Sequence, residues 1–404
     1  MFRSLTSMLP LMLYWASTAK AKDALPTCTF PDEPAMYVLT VQPEPNSVIY
    51  LFGHTALLDW NPKMGPQSRV YDYGLFQLPD SILETVVNYL TMKQEYFLGI
   101  STWRRNEALY HHAERGVVAQ RLALDPAEMH RLRTHIARDA ADPTFHYNWY
   151  DQNCSTKVRD GIDVAMRGAL EEQMQGSSGT SPAGEVLRHS ALHPLWLGLQ
   201  WGSTRLSRQE INDYDAMFLP EPMMHRLAKS TRKDGAPLVG ETCQAVPDGK
   251  PPIQATPPSR AGLLGLLGLA MAGALIGLTR WSRTAGLVTV GLVSATGTVW
   301  GIAALIVGFA GTFAPFWGHD NQLFTSPLWA LATVGAVLAW RSPGSELAAR
   351  LALVPLGLAG LGFVVSLAQG FSPGNLGFAL FFVPLTGAMA WVIRSGVPQT
   401  EGPA

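Results

Sequence analysis

Two short stretches of this chain carry side chains suited to nucleophilic catalysis. In YDQNCSTKVRD, Cys154 follows Asn153, a residue that caps helix starts well. Val158, Ile162, Ala165, Met166 and Ala169 then recur at helical spacing, so a helix is expected over 153–170 with the thiol at its first position. Backbone N–H groups and the helix dipole favour a thiolate there. In FGHTALLDW, His54 directly follows Gly53. A thiol nucleophile needs a base for its proton and a third group that fixes the imidazole tautomer. Asp72 or Tyr73, in VYDYGLF, is expected to orient the ring, with Asp59 a weaker choice. Asn153, Ser155 and Thr156 at the helix start are candidates to supply oxyanion donors. The competing readings are plainer: a buried structural cysteine and a hydrogen-bonded core histidine.

These residues need a frame to bring them together. Residues 47–58 (SVIYLFGHTALL) read as a strand with His54 in its middle, and 69–77 as its hairpin partner. Residues 81–89 and 126–139 read as helices, giving an α+β domain with no internal repeat. His111, His112, His130, His135 and His146 lack metal spacing with a carboxylate, and His189 and His193 fall near a loop. There is no glycine-rich phosphate loop and no G-x-S-x-G elbow, so neither a metal nor a cofactor is expected.

The 404 residues carry a formal net charge of -1, which gives no reason to expect nucleic acid as a partner. The average hides a division. After Arg260 the basic residues are Arg280, Arg283, Arg341, Arg350 and Arg394, with no lysine. Five apolar segments, 261–279, 285–310, 326–340, 348–369 and 375–393, approach the roughly 20 residues that cross a bilayer, the third being short. Trp329 and Trp340 flank that third segment as interface anchors. The arginines lie in alternate loops, so the positive-inside rule puts those loops and the C-terminus in the cytoplasm and the N-terminal domain outside.

The N-terminus agrees with that topology. Arg3, the apolar run 9–15 and Ala19-Lys20-Ala21 fit a cleaved signal peptide over 1–21, the alternative being an uncleaved anchor. The expected organisation is an exported catalytic domain over 22–245, a proline-rich linker over 246–260, a membrane bundle over 261–394 and a cytoplasmic tail over 395–404. Three cysteines in an oxidising compartment suggest one pair and one free thiol. Cys28 and Cys243 stand at opposite ends of the exported domain, and domain termini tend to meet in space, so these two are the expected pair. The alternative leaves all three unpaired. His319 and Asn321, in GHDNQLFTSPL, lie in an outward loop and are candidates for a lipid or interdomain contact.

At these residues the chain resembles the Lnb-type lipoprotein N-acyltransferases. FGHTALLDW, VYDYGLF and YDQNCSTKVRD carry the resemblance, which continues through LWLGLQWGSTRLSRQE, DAMFLPEPMMHRL and PLVGETC to GHDNQLFTSPL. It implies a permuted papain-like fold of the NlpC and lecithin:retinol acyltransferase kind, with His54 as base and Cys154 as nucleophile. Relatives often have asparagine where this chain has Asp72. The resemblance further implies a phospholipid acyl donor and a diacylated lipoprotein acceptor, joined through a thioester at the periplasmic face of the bacterial inner membrane. The alternatives are a tethered cysteine peptidase or amidase of cell-wall peptides, an intramolecular transacylase that makes lyso-lipoprotein, and a non-enzymatic sensor or scaffold.

Overall fold

The computed structural model describes residues 25–310, 320–368 and 375–395. The signal segment, His319 and nearly all of the tail lie outside the described residues. The architecture is α+β followed by an apolar helical bundle. Seven strands, β1 (Ala35–Val41), β2 (His54–Trp60), β3 (Arg69–Phe76), β4 (Glu95–Thr102), β5 (Val117–Leu122), β6 (Thr144–His146) and β7 (Val239–Val246), form one sheet. Its order is β6-β4-β3-β2-β1-β5-β7, with every pair antiparallel.

Interleaved with the strands are α1 (Ile82–Leu90), α2 (Trp103–His112), α3 (Pro126–Ala141) and α4 (Cys154–Met166). Then come α5 (Ala169–Gln173), α6 (Pro182–His189), α7 (Trp196–Gly202) and α8 (Pro220–Leu227). β1, AMYVLTV, is buried along its whole length because both faces of the sheet are covered. Met36 and Val38 point to one face, where Leu132 and Ile136 of α3 pack with Val158 and Ile162 of α4. Tyr37 and Leu39 point to the other, against Trp103 and Tyr110 of α2. The period of two along a strand divides the two cores. α3 starts sharply because Asp125 and Glu128 form a reciprocal capping box with Pro126 at the first helical position.

Two expected elements differ. The predicted strand over 47–58 begins only at His54, since residues before it turn back on themselves: Glu44 N–H donates to Tyr50 O at 2.9 Å and Gly53 N–H to the same oxygen at 3.1 Å. Gly53 sits at φ +81°, and a Cβ there would stand 2.7 Å from Val41 O, so only glycine makes this turn. Its apolar residues mimicked a strand, but Val48, Ile49 and Tyr50 are exposed. The helix predicted over 153–170 is cut in two at Arg167 and Gly168, both in the left-handed region, so α5 turns away from α4.

Cys28 and Cys243 form a disulfide with Cα atoms 4.9 Å apart. It fastens the segment beside β7, where Cys28 N–H donates to Gln244 O at 3.0 Å and Gln244 N–H to Pro26 O at 2.8 Å. The bridge spans 215 positions of sequence. Removing it by a Cys28→Ala, Cys243→Ala double substitution is expected to cost about 2–5 kcal/mol. A lower melting temperature that no longer responds to reductant, measured on the full chain in detergent, checks this.

The bundle comprises α9 (Ala261–Trp281), α10 (Arg283–Ala310), α11 (Ala330–Arg341), α12 (Glu346–Leu351), α13 (Leu353–Ala368) and α14 (Asn375–Arg394). These make five spans long and apolar enough to cross a membrane, so the chain is a multi-pass membrane protein. The third, short in the sequence reading, reaches 21 residues (Asn321–Arg341) because single helical turns precede α11. The fourth breaks between α12 and α13, where Pro355 has no N–H to offer Leu351 O.

β7 runs one residue past the expected boundary, to Val246, and the linker is strapped rather than loose. Gln42 Nε2 donates to Lys250 O at 2.6 Å, Lys250 pairs with Glu44 at 2.7 Å, and Arg188 donates to Gln254 O at 3.1 Å. Arg188 also bridges the carboxylates of Glu185 and Glu221, locking α6 to α8 and to the linker. α7 sits on one end of the bundle. Asn321 Nδ2 donates to Trp201 O at 2.8 Å and to Ser203 O at 3.2 Å, and Trp201 Nε1 donates to Thr325 Oγ1 at 3.0 Å. Asn321 therefore makes the interdomain contact, fully buried.

Candidate active site

Three elements converge at one end of the sheet. β2 begins at His54, whose backbone pairs with Val41 at the last position of β1. β3 carries one extra residue against β4 between Asp72 and Leu75, a bulge that bends the strand and re-aims its side chains. α4 begins at Cys154, with Asn153 as its cap. Thr55 Oγ1 and Ser155 Oγ lie 3.1 Å apart in the core, pinning the start of β2 to the start of α4. The histidine and cysteine, a hundred positions apart in sequence, are thereby neighbours.

His54 Nε2 donates to Asp72 Oδ1 at 2.8 Å, with both side chains mostly buried. That carboxylate oxygen also accepts the Gly74 N–H at 2.7 Å, which fixes it. With Nε2 committed to Asp72, the imidazole meets the thiol of Cys154 through its other nitrogen. Sγ is close enough to the His54 ring and to the Thr55 N–H for both to favour its thiolate. Gly74 makes room for the ring: a Cβ there would stand 2.4 Å from His54 Cε1.

The electrostatics favour an ion pair. Burial alone would lower the pKa of His54, but the charges of Asp72 and Cys154 and hydrogen bonds to both hold it well above its ordinary value. Burial would raise the pKa of Cys154, yet the His54 charge and hydrogen bonds from His54 and the Thr55 N–H bring it below the ordinary thiol value. Asp72 is held low in the same way: burial raises it, and His54 and the Gly74 N–H outweigh the burial. Both shifts favour the thiolate and imidazolium forms of the pair over the neutral ones.

Several expected roles go elsewhere. Tyr73 does not orient the histidine: its hydroxyl donates to Asp139 Oδ2 at 2.9 Å on the opposite side of β3, as strand alternation requires. Asp59 is engaged by Arg133 at 2.7 Å. The backbone N–H groups of Ser155 and Thr156 are not open to an oxyanion, because Asn153 Oδ1 accepts both, at 2.9 and 3.1 Å. Asn153 caps and does not donate into the site; its Nδ2 donates to Trp149 O at 3.1 Å. This leaves the Cys154 N–H as the first-turn donor with no acceptor among the described residues.

The dyad opens into a cavity of about 280 Å³. One wall is aromatic: Phe76, Tyr96, Tyr147, Trp149 and Tyr150. Tyr96 and Tyr147 stack at 4.4 Å, and Tyr89 of α1 closes over Tyr147 and Trp149 from behind. Burial and the nearby Cys154 charge both push the Tyr147 hydroxyl above its ordinary pKa. The opposite wall includes Val186, Leu199 and Leu219, together with Gly198 and Gly202 of α7. Among the described residues, no charged one besides the dyad lines this space. The aromatic wall escaped the sequence reading although YNWYDQNC places three of its rings just before the nucleophile. The α7 stretch LWLGLQWG stands out in the sequence only as part of the family resemblance, which does not place it at the site.

Residues 32–185 match the family model described as the Lnb N-terminal periplasmic domain. The match takes in His54, Asp72 and Cys154 and ends inside α6, before α7, β7 and the bundle. No curated protein and no solved structure matches the chain.

Proposed function

We propose that this protein is a membrane-anchored cysteine acyltransferase. It moves a fatty acyl chain from a phospholipid, through a thioester on Cys154, to the α-amine of the N-terminal cysteine of a diacylated lipoprotein. The observation that carries this reading is the thiol–imidazole–carboxylate row opening into an apolar, aromatic cavity whose wall, α7, is hydrogen-bonded to a membrane-spanning bundle. Similarity to the Lnb periplasmic domain supports it, and the alternating arginine loops favour a periplasmic site with the C-terminus in the cytoplasm.

The steps balance on this chain's own groups. The Cys154 thiolate attacks the donor ester carbonyl, with the Cys154 N–H placed to stabilise the oxyanion. The C–S bond forms, the ester C–O bond breaks, and the His54 imidazolium gives its proton to the departing lysophospholipid oxygen. Neutral His54 then takes a proton from the attacking amine, the amide C–N bond forms, and the C–S bond breaks to restore the thiolate. Asp72 holds the ring for both proton transfers. A bilayer-anchored site raises the effective concentration of two bilayer-anchored substrates. A cell-wall peptidase would share the dyad, but it would need polar partners for a peptide along the cavity, and these walls offer few.

The test supplies full-length protein with phosphatidylethanolamine labelled in one acyl chain and a diacylated lipopeptide, read by mass spectrometry. Label on Cys154 and then on the lipopeptide amine is the expected result. An unlabelled N-acyl product, formed from the lipopeptide's own ester, would replace this reading with intramolecular transfer. Muropeptide cleavage without acyl transfer would replace it with the peptidase.

Gly74→Ala probes the fit of the ring directly. The added Cβ displaces His54 by a fraction of the ring's width, and the expected loss in the rate of thioester formation is about a hundredfold. Time-resolved mass spectrometry of the acylated protein measures it.

A further inference from the structure

Of the residues that line the cavity, four are exposed: Ile49 and Tyr50 from the turn before β2, and Gly198 and Gly202 from α7. They mark its mouth. Arg115 stacks on the Tyr50 ring at 4.7 Å and holds the first lip. The second lip is a helix that has no conformational use for its glycines. Neither Gly198 nor Gly202 has positive φ, and a Cβ on either would meet nothing within 4 Å. Glycine in a helix costs about 1 kcal/mol against alanine, so what these two positions contribute is open space at the mouth.

The mouth also stands beside residues expected at the end of an apolar span. The span Arg283–Phe309 has 27 residues, longer than the roughly 20 that cross the hydrocarbon. Counted from Arg283, the outer boundary falls within a turn of Trp300. Trp201 of α7 packs edge-on against Trp300 at 5.4 Å, and Arg260 covers the Trp196 ring at 4.0 Å. Tryptophan and arginine are residues of the membrane–water interface. Leu192, Leu195 and Leu197, at and just before the start of α7, are exposed beside these rings. α7 thus carries residues of interfacial type and is held to the bundle by them.

We propose that the gap between Ile49–Tyr50 and Gly198–Gly202 is a lateral port, through which an acyl chain of an outer-leaflet glycerolipid reaches Cys154 directly from the bilayer. The two glycines set its width. This rests on the acyltransferase reading and adds the route and the residues that select long chains.

The experiment compares thioester formation on Cys154 of the full chain from two donors: dioleoyl phosphatidylethanolamine in vesicles, and p-nitrophenyl acetate in water. Gly202→Leu and, from the opposite lip, Ile49→Trp are each expected to lower the ratio of long-chain to acetyl loading by about tenfold or more, the scale of a misfitting apolar group. Gly198→Ala is expected to lower it by a smaller factor. Unchanged ratios in both bulky variants, or an equal fall for both donors, overturn the port. Failure of the unsubstituted protein to load either donor strikes instead at the acyltransferase reading on which the port depends.

Discussion

Cys154→Ala is expected to abolish both the acyl-enzyme and the N-acylated product. Cys154 is the nucleophile that His54 and Asp72 activate, and without it the amine would have to attack the donor ester directly. The loss expected is about 10⁴-fold or more, because the residues of such a row act as a unit and deletion of the nucleophile removes nearly all that the unit provides. Cys154→Ser separates the nucleophile from the site's shape. Its hydroxyl cannot ionise beside His54 as the thiol does, so a loss of about a thousandfold is expected. Mass spectrometry of lipoprotein N-termini from cells that carry each variant, as sole source of the activity, provides the measurement. Lipoproteins that remain triacylated in the alanine variant would sink the mechanism.

Asp72→Asn should have the second largest effect and a distinct signature. Asp72 holds His54 in place and raises its pKa against the opposing effect of burial. The rate should rise with pH as the lowered Cys154 thiol ionises and fall again as His54 loses its proton at its raised pKa. Removing the carboxylate's charge takes away the first of the influences that raise the imidazolium pKa. The falling limb must therefore move to lower pH, narrowing the active window from its alkaline side. Asparagine can still accept from Nε2, so the ring stays seated and the drop in kcat is expected to be about 10²- to 10⁴-fold. A profile of thioester formation against pH for both proteins tests this. A falling limb left in place, even with reduced activity, would show that Asp72 only positions the ring.

The same carboxylate illustrates how far local sequence reaches. Asp72 and Tyr73 are adjacent, both able to hold an imidazole, and nothing in VYDYGLF chooses between them. Strand alternation sends them to opposite faces, and the bulge before Leu75 settles which one faces His54. Asn153 was legible as a cap, and its consequence was not. By accepting from Ser155 and Thr156, it withdraws the two donors that the sequence offered to an oxyanion.

Patterns local to the chain came through intact in the sequence. Apolar segment lengths gave five spans, Asn153 gave the start of α4 at Cys154, and the placing of two cysteines at the ends of the N-terminal domain gave the Cys28–Cys243 bridge. Each rests on physics that acts within a turn, a span or a domain's closed ends. The turn that replaces the first half of the expected strand did not come through. Val48, Ile49 and Tyr50 carry strand propensity, and it takes Gly53 meeting Val41 across the sheet to refuse it. The cavity wall was equally hidden, since Tyr96 comes from β4, Tyr147 from the loop after β6, Leu199 from α7 and Leu219 from the position before α8. A reactive thiol could be expected from the sequence. Its surroundings, its orienting carboxylate and the packing of α7 beside Trp300 came only from tertiary structure, because burial and distance arise between segments that sequence leaves far apart.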